Sequence, residues 1–213
     1  MGHPSPRAKN MDHIVNISVI MPFHQVNESL YDSIRSVMAQ SYPAQELILV
    51  SDGCQAKPRI PEISNGLPEI KIVRLKENSG PAASRNAGVK ASKCEVIAFI
   101  DSDDQWHKNK LENQINVFLS EKKGNKNPVI ICSVEVHEKD KLIKQRHPIL
   151  PAGSDEKKQL LKAPYLYLGS TALMSKNLFL AVGFQNEKLR IYEDFEWQLR
   201  AVFHHHVQIL ASK

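Results

Sequence analysis

Three carboxylates stand within four residues at Asp101-Ser102-Asp103-Asp104, directly after the apolar run VIAFI at 96–100. Such acids repel one another, and crowding them at the end of a buried strand is costly unless a cation or strong donors compensate. In extended backbone, residues i and i+2 point the same way, so Asp101 and Asp103 can address one site. Hard oxygen donors at that spacing suit Mg2+ or Mn2+, which takes a few carboxylates and completes its shell from phosphate and water. The plainer alternative is an acid cluster at a helix entry, favoured by the helix dipole. Three acids after one buried run point to metal and phosphate instead.

Three further groups could do chemistry. Asp52 ends a second apolar run and precedes Gly53. A carboxylate there can accept an N–H from a base or a ribose hydroxyl, or it can close an Asp-Gly turn. Asn78-Ser79-Gly80-Pro81 leads into a small-residue stretch containing Arg85. That arginine could neutralise phosphate or pin the nearby aspartates, although composition alone favours a packed Ala/Gly helix with Arg85 exposed. Glu193-Asp194 starts the last helical stretch, where acids cap helices by default; the functional alternative makes Asp194 a general base. His204, His205 and His206 are consecutive, so on a helix they point about 100° apart and cannot all reach one ion. Trp106 and Trp197 read as core or cleft-wall residues.

The elements that must position these groups are short. Runs at 17–21, 47–50, 70–75 and 96–100 predict strands, the first of them buried and ended by Pro22. Leu30, Ile34, Val37 and Met38 form one helical stripe behind an Asn27 cap, and helices are also predicted over 81–91, around Leu111–Leu119 and from Glu193. Apolar strands alternating with helices predict an α/β fold with a mostly parallel sheet covered on both faces, where ligands gather outside the carboxyl ends of the strands. After Glu121 the pattern loosens. A strand at 129–133 with an antiparallel partner near 142–145, a mobile surface loop over 147–162 and an apolar segment at 165–174 interrupted by Gly169 complete the reading.

The chain has 213 residues, a formal net charge of +5, 42% hydrophobic and 24% charged residues. That composition excludes collagen-like, coiled-coil and broadly disordered classes. The charge is spread out, so an anionic small partner is permitted and nucleic acid is not indicated. Cys54, Cys94 and Cys132 form neither a CxxC pair nor a disulfide framework and read as buried reduced thiols. No run of eighteen apolar residues is present, and the first ten residues lack an apolar core, so neither a spanning helix nor a secretory signal is expected. A flexible segment at 1–15 and a single domain at 16–213 follow, with a ligand-binding part at 16–121 and a second part at 122–213.

In order along the chain, ISVIMPFHQVNESLYDSIRSVMAQSYPAQELILVSDG, NSGPAASRNAG, VIAFIDSDDQWHKNKLENQ and YEDFEWQLRA resemble a family 2 glycosyltransferase of the GT-A fold. The resemblance covers roughly residues 16–204. It implies a Rossmann-like, mostly parallel central sheet with a smaller antiparallel acceptor-side part. It also implies an inverting enzyme, of hexosyl- or N-acetylhexosaminyltransferase type, that uses a nucleotide-diphosphate sugar, UDP-linked by preference. The acceptor would be a glycan or a lipid-linked glycan of polysaccharide biosynthesis. By the same resemblance Pro22 and His24 lie against the nucleotide, Asp52 binds the base, and Asn78 and Arg85 line the nucleotide site. Asp101, Ser102 and Asp103 form the DxD segment, with Asp103 and then Asp101 as ligands for Mn2+ or Mg2+, and Asp194 is the catalytic base. The implied location is cytoplasmic, with peripheral contact at the inner face of the membrane.

Two departures stand out. Phe23-His24-Gln25 replaces the Tyr-Asn that often follows the first strand, and the chain stops just past the ED helix, as a truncated form would. The rival expectations are a nucleotide-sugar-binding relative without transfer activity, and a nucleotidyltransferase. The latter expects a glycine-rich basic loop after the first strand, and PFHQVNES offers none.

Overall fold

The computed structural model describes residues 14–60, 68–123, 127–138, 141–147 and 168–212. In chain order the elements are β1 (Ile17–Phe23), α1 (Glu28–Met38), β2 (Glu46–Asp52), β3 (Glu69–Leu75), α2 (Pro81–Ala91), β4 (Val96–Phe99), α3 (Lys110–Lys123), β5 (Val129–Ile131), β6 (Val134–Glu138) and β7 (Lys141–Arg146). They continue with α4 (Leu168–Thr171), β8 (Leu173–Ser175), α5 (Lys176–Val182), α6 (Glu193–His204) and β9 (Ile209–Ala211). The expected flexible segment and mobile loop lie almost wholly outside the described residues.

Among the described residues one seven-stranded sheet runs in the order β3-β2-β1-β4-β8-β5-β9. The first four strands are parallel, β8 is antiparallel to both β4 and β5, and β9 is parallel to β5. Because the chain leaves β1 for β2 on one side and returns as β4 on the other, strand order reverses between β1 and β4. That is where a ligand crevice opens in such sheets.

Alternation along the inner strands divides the core in two. Ile17, Val19, Met21, Leu47, Leu49, Val96 and Ala98 pack with Leu30, Ile34 and Val37 of α1 and with Leu111, Ile115 and Phe118 of α3. Ile20, Ile48, Val50, Ile97 and Phe99 face the other way, against Val89 of α2, Leu178, Phe179 and Val182 of α5, and Trp197, Ala201 and Val202 of α6. Helices therefore cover both faces, as strands buried on both sides require. Trp197 is fully buried, stacks on Phe179 at 5.2 Å between centroids, and donates from Nε1 to the Gly183 carbonyl at 2.8 Å.

Two local expectations change. Pro22 does not end β1; it pairs in register with Val50 and the strand continues through Phe23. The Ile20 carbonyl accepts from Ile100 N, so residues of that parity face β4, and β4 has already ended when Pro22 is reached. The missing N–H therefore costs no ladder bond. The 141–146 strand pairs with Val134–Glu138 in a separate two-stranded sheet, not with the 129–131 strand. The sequence VEVHE is largely solvent-exposed, which removes the apolar signal that marks a strand. Of the cysteines only Cys94 is buried, and all three are free.

Candidate active site

Arg85 bridges segments that meet beyond the end of β4. It is 4% exposed; its Nη2 donates to Asp101 Oδ1 and its Nη1 to Glu193 Oε1, both at 2.8 Å. One guanidinium thus joins α2, the end of β4 and the first turn of α6. Burial works to lower its proton affinity, but Asp101 and Glu193 outweigh that and hold it above the ordinary arginine value. Sequence composition favours an exposed Arg85, and the structure buries it, because two carboxylates from distant segments converge on it.

The four residues of α4 organise the rest. Leu168 N–H donates to the Asp194 carboxylate. At Gly169 an added Cβ would stand 2.5 Å from Asp101 Oδ2 and 3.0 Å from Arg85 Nη2, so the absence of a side chain leaves the ion pair its space. Ser170 Oγ accepts from Asp101 N at 2.9 Å and donates to the Asp104 carboxylate. The carbonyls of α4 are held from α3 and the loop before it. Trp106 Nε1 donates to Ser170 O at 2.9 Å and Gln114 Nε2 to Thr171 O at 2.6 Å. Lys110 lies 3.9 Å over the Trp106 ring, donates to Gln114 Oε1 at 2.6 Å, and is pushed down to about 8 by burial.

The aspartate cluster is a turn, with Asp104 N donating to Asp101 O at 3.1 Å. Burial raises the Asp104 carboxyl, Ser170 lowers it, and Asp101 and Asp103 raise it further. Ser102 is half-buried and Asp103 exposed. Among the described residues the Asp103 carboxylate takes no hydrogen bond or ion pair. No cluster of three or more His, Cys, Asp or Glu side chains suited to a metal occurs among the described residues. Two hard carboxylates, one of them unpartnered, fit an Mg2+ or Mn2+ ion that draws its other ligands from diphosphate and water.

Asp194 follows Glu193 on the first turn of α6. Burial lifts its carboxyl above the ordinary range; Arg85 lowers it, Glu193 raises it, and the N–H groups of Phe195 and Leu168 lower it. The residue before the helix, Tyr192, is exposed and holds left-handed backbone at φ 64 without a side-chain cap. Non-glycine residues adopt that conformation at a cost of roughly 1 kcal/mol. In sequence, Glu193 stands out only as the neighbour of Asp194 at a helix start, where capping is the default role; its bond to Arg85 is visible only in the fold.

Asp52 is committed to backbone. Its Oδ1 accepts from Ser79 N at 2.7 Å and its Oδ2 from Gly80 N at 2.9 Å, which tethers the entry of α2 to the end of β2. Gly53 next to it has φ 70, and a Cβ there would meet Asn78 N at 2.5 Å, so the two loops touch through main chain. Asn78 is exposed and its Oδ1 accepts from Arg190 Nη1 at 3.4 Å. Pro22 is half-buried and His24 exposed at the same carboxyl-terminal edge. His204, His205 and His206 are exposed at the far end of α6 and join no metal-ligand cluster among the described residues.

The family described as Glycosyl transferase family 2 matches residues 18–183. An uncharacterized glycosyltransferase of Rickettsia typhi, RT0329, is 29% identical over 212 residues, covering 92% of this chain and 63% of that protein. The UDP-Glc:alpha-D-GlcNAc-diphosphoundecaprenol beta-1,3-glucosyltransferase WfgD of Escherichia coli is 35% identical over 103 residues, or 48% of this chain and 41% of that protein. The chain thus spans less than two thirds of the length of either relative. The crystal structure of S. aureus TarS 1–349 in complex with UDP superposes with a TM-score of 0.64 at 19% identity, covering 93% of this chain and 58% of that one. At that identity the likeness shows the shared GT-A fold. No helix among the described residues is long and apolar enough to cross a membrane.

Proposed function

Because the chain belongs to glycosyl transferase family 2, we propose that it transfers a sugar from a UDP-sugar to a glycan or lipid-linked glycan, with inversion at the anomeric carbon. The observation that carries this reading is Arg85, which ties the Asp101–Asp104 turn to the helix bearing Asp194 across the β1/β4 switch point. The UDP bound by the fold neighbour and the UDP-Glc and diphosphoundecaprenol substrates in the WfgD name support the donor and acceptor classes.

In the proposed reaction the Asp194 carboxylate takes the proton of the acceptor hydroxyl. The acceptor oxygen bonds to the anomeric carbon as the bond from that carbon to the phosphate oxygen breaks, and the electron pair leaves with the nucleoside diphosphate. Attack opposite the leaving group inverts the centre. Burial suits Asp194 to the task, since a base that holds its proton more tightly than an ordinary aspartate removes one from an alcohol more readily. Asp103 and Asp101 would hold Mg2+ or Mn2+, which supplies positive charge to the departing diphosphate when bound. Arg85 keeps Asp101 oriented, and much of the rate comes from holding base, acceptor and donor in line.

The test is a thermal-shift series with UDP-, GDP-, dTDP- and CMP-sugars, with and without Mn2+. A ligand that binds only the native state raises its melting temperature. A UDP-sugar response that needs Mn2+ and vanishes in Asp103→Ala is expected. An undiminished response in Asp103→Ala overturns the metal assignment, and no response to any sugar nucleotide overturns the donor class.

A further inference from the structure

Glu193 is a buried anion whose presence charge balance does not explain. It is 7% exposed and bonded to Arg85. Glutamate is rarely that buried unless paired. Yet Arg85 already has Asp101, so Glu193 gives the guanidinium a second carboxylate, with Asp194 next in sequence as a third. An extra buried anion beside a carboxylate base is a cost that calls for a function.

Two consequences of the geometry supply one. Glu193 and Asp194 are consecutive on the first turn of α6, so the 2.8 Å bond that fixes Glu193 to α2 also fixes the backbone that carries Asp194. The charged groups that act on Asp194 among the described residues are Arg85 from α2 and Glu193 from its own helix. The neutral groups are the N–H of Leu168 from α4 and the N–H of Phe195. Arg85 pulls Asp194 toward the carboxylate form and so weakens it as a base; Glu193 opposes that pull, directly and by occupying Nη1 of the same guanidinium.

We propose that Glu193 is a positioning residue for the transfer reaction: bonded to Arg85 at 2.8 Å, it anchors the first turn of α6, and with it Asp194, to the Asp101 strand end. This rests on the reading of Asp194 as the base. If the pair holds Asp194 beside it, its two partners act on that carboxyl in opposite directions, Arg85 lowering and Glu193 raising its proton affinity, and a titration can read both.

The experiment is a 13C NMR titration of the Asp194 side-chain carboxyl in the full chain without ligand, the signal being assigned by its loss in Asp194→Asn. Glu193→Gln moves the Asp194 midpoint down and Arg85→Gln moves it up. Should Arg85→Gln not fold, Glu193→Gln, which keeps size and hydrogen-bonding capacity, decides alone: a midpoint that stays put or rises overturns the proposal. UDP release from UDP-glucose separates the two readings. Asp194→Asn working at the parent rate defeats the base assignment itself. An inactive Asp194→Asn with no downward shift in Glu193→Gln defeats only the role given to Glu193.

Discussion

Gly169 faces Asp101 so closely that a Cβ on it would stand 2.5 Å from the carboxylate Oδ2. The same atom would lie 3.0 Å from Arg85 Nη2, so the space that glycine leaves is the space the ion pair occupies.

Gly169→Ala therefore overpacks the site. Added methyl groups in well-packed interiors cost about 1–3 kcal/mol. The expected result is a lower melting temperature together with weaker Mn2+-dependent UDP binding, measured on the same sample by calorimetry. Binding that survives while stability falls would mean that Asp101 can shift without harm.

Asp52→Ala removes the acceptor of two backbone N–H groups at the entry to α2. Losing such a cap costs roughly 1–2 kcal/mol, and leaving the N–H groups unsatisfied adds to it. Denaturant unfolding should show that loss, with Asp52→Asn intermediate because one acceptor oxygen remains. Unchanged stability with weakened UDP affinity would make Asp52 a ligand contact first.

For Asp194 the sign is set by burial. Its folded-state proton affinity is raised, so its contribution to stability is fully present below the unfolded-state pKa of about 3.9 and is lost as pH rises through the higher folded value. Asp194→Asn, neutral throughout, should melt above the parent protein at pH 7, and the gap should close toward pH 4 as UDP-glucose turnover stays lost. Melting below the parent at pH 7 would show that its bonds to Phe195 N and Leu168 N dominate, as a capping role requires.

The parallel half of the fold was legible because its signals are local. β1, β2 and β4 are continuous apolar runs, and Asn27 caps α1 through Leu30 N as its residue type predicts. The second half was less so. β6 has no buried position, its first two residues being half-buried and its last three exposed, so no buried apolar run marks it, and α5 is only seven residues long, too short for a helical stripe. Pro22 misled because whether proline breaks a strand depends on which neighbour its nitrogen faces, a fact of the sheet and not of the segment.

At the site, residue types announced the acids but not their partners. Asp101 and Asp194 are visible as charges in a row; that Arg85 bonds one of them and Glu193 is a matter of contacts 16 and 108 residues apart in sequence. Gly169 left a faint trace, a lone glycine in an apolar run, which marks close approach without saying of what.

In α4, three successive residues answer to different sets of neighbours: Leu168 to Asp194, Gly169 to Arg85 and Asp101, Ser170 to Asp101 and Asp104. One inserted residue would rotate everything beyond it by about 100° and deal each neighbour the wrong side chain. The spacing of this stretch is thus as closely constrained as its chemistry, and an insertion within it should disturb the site even where every original side chain is kept.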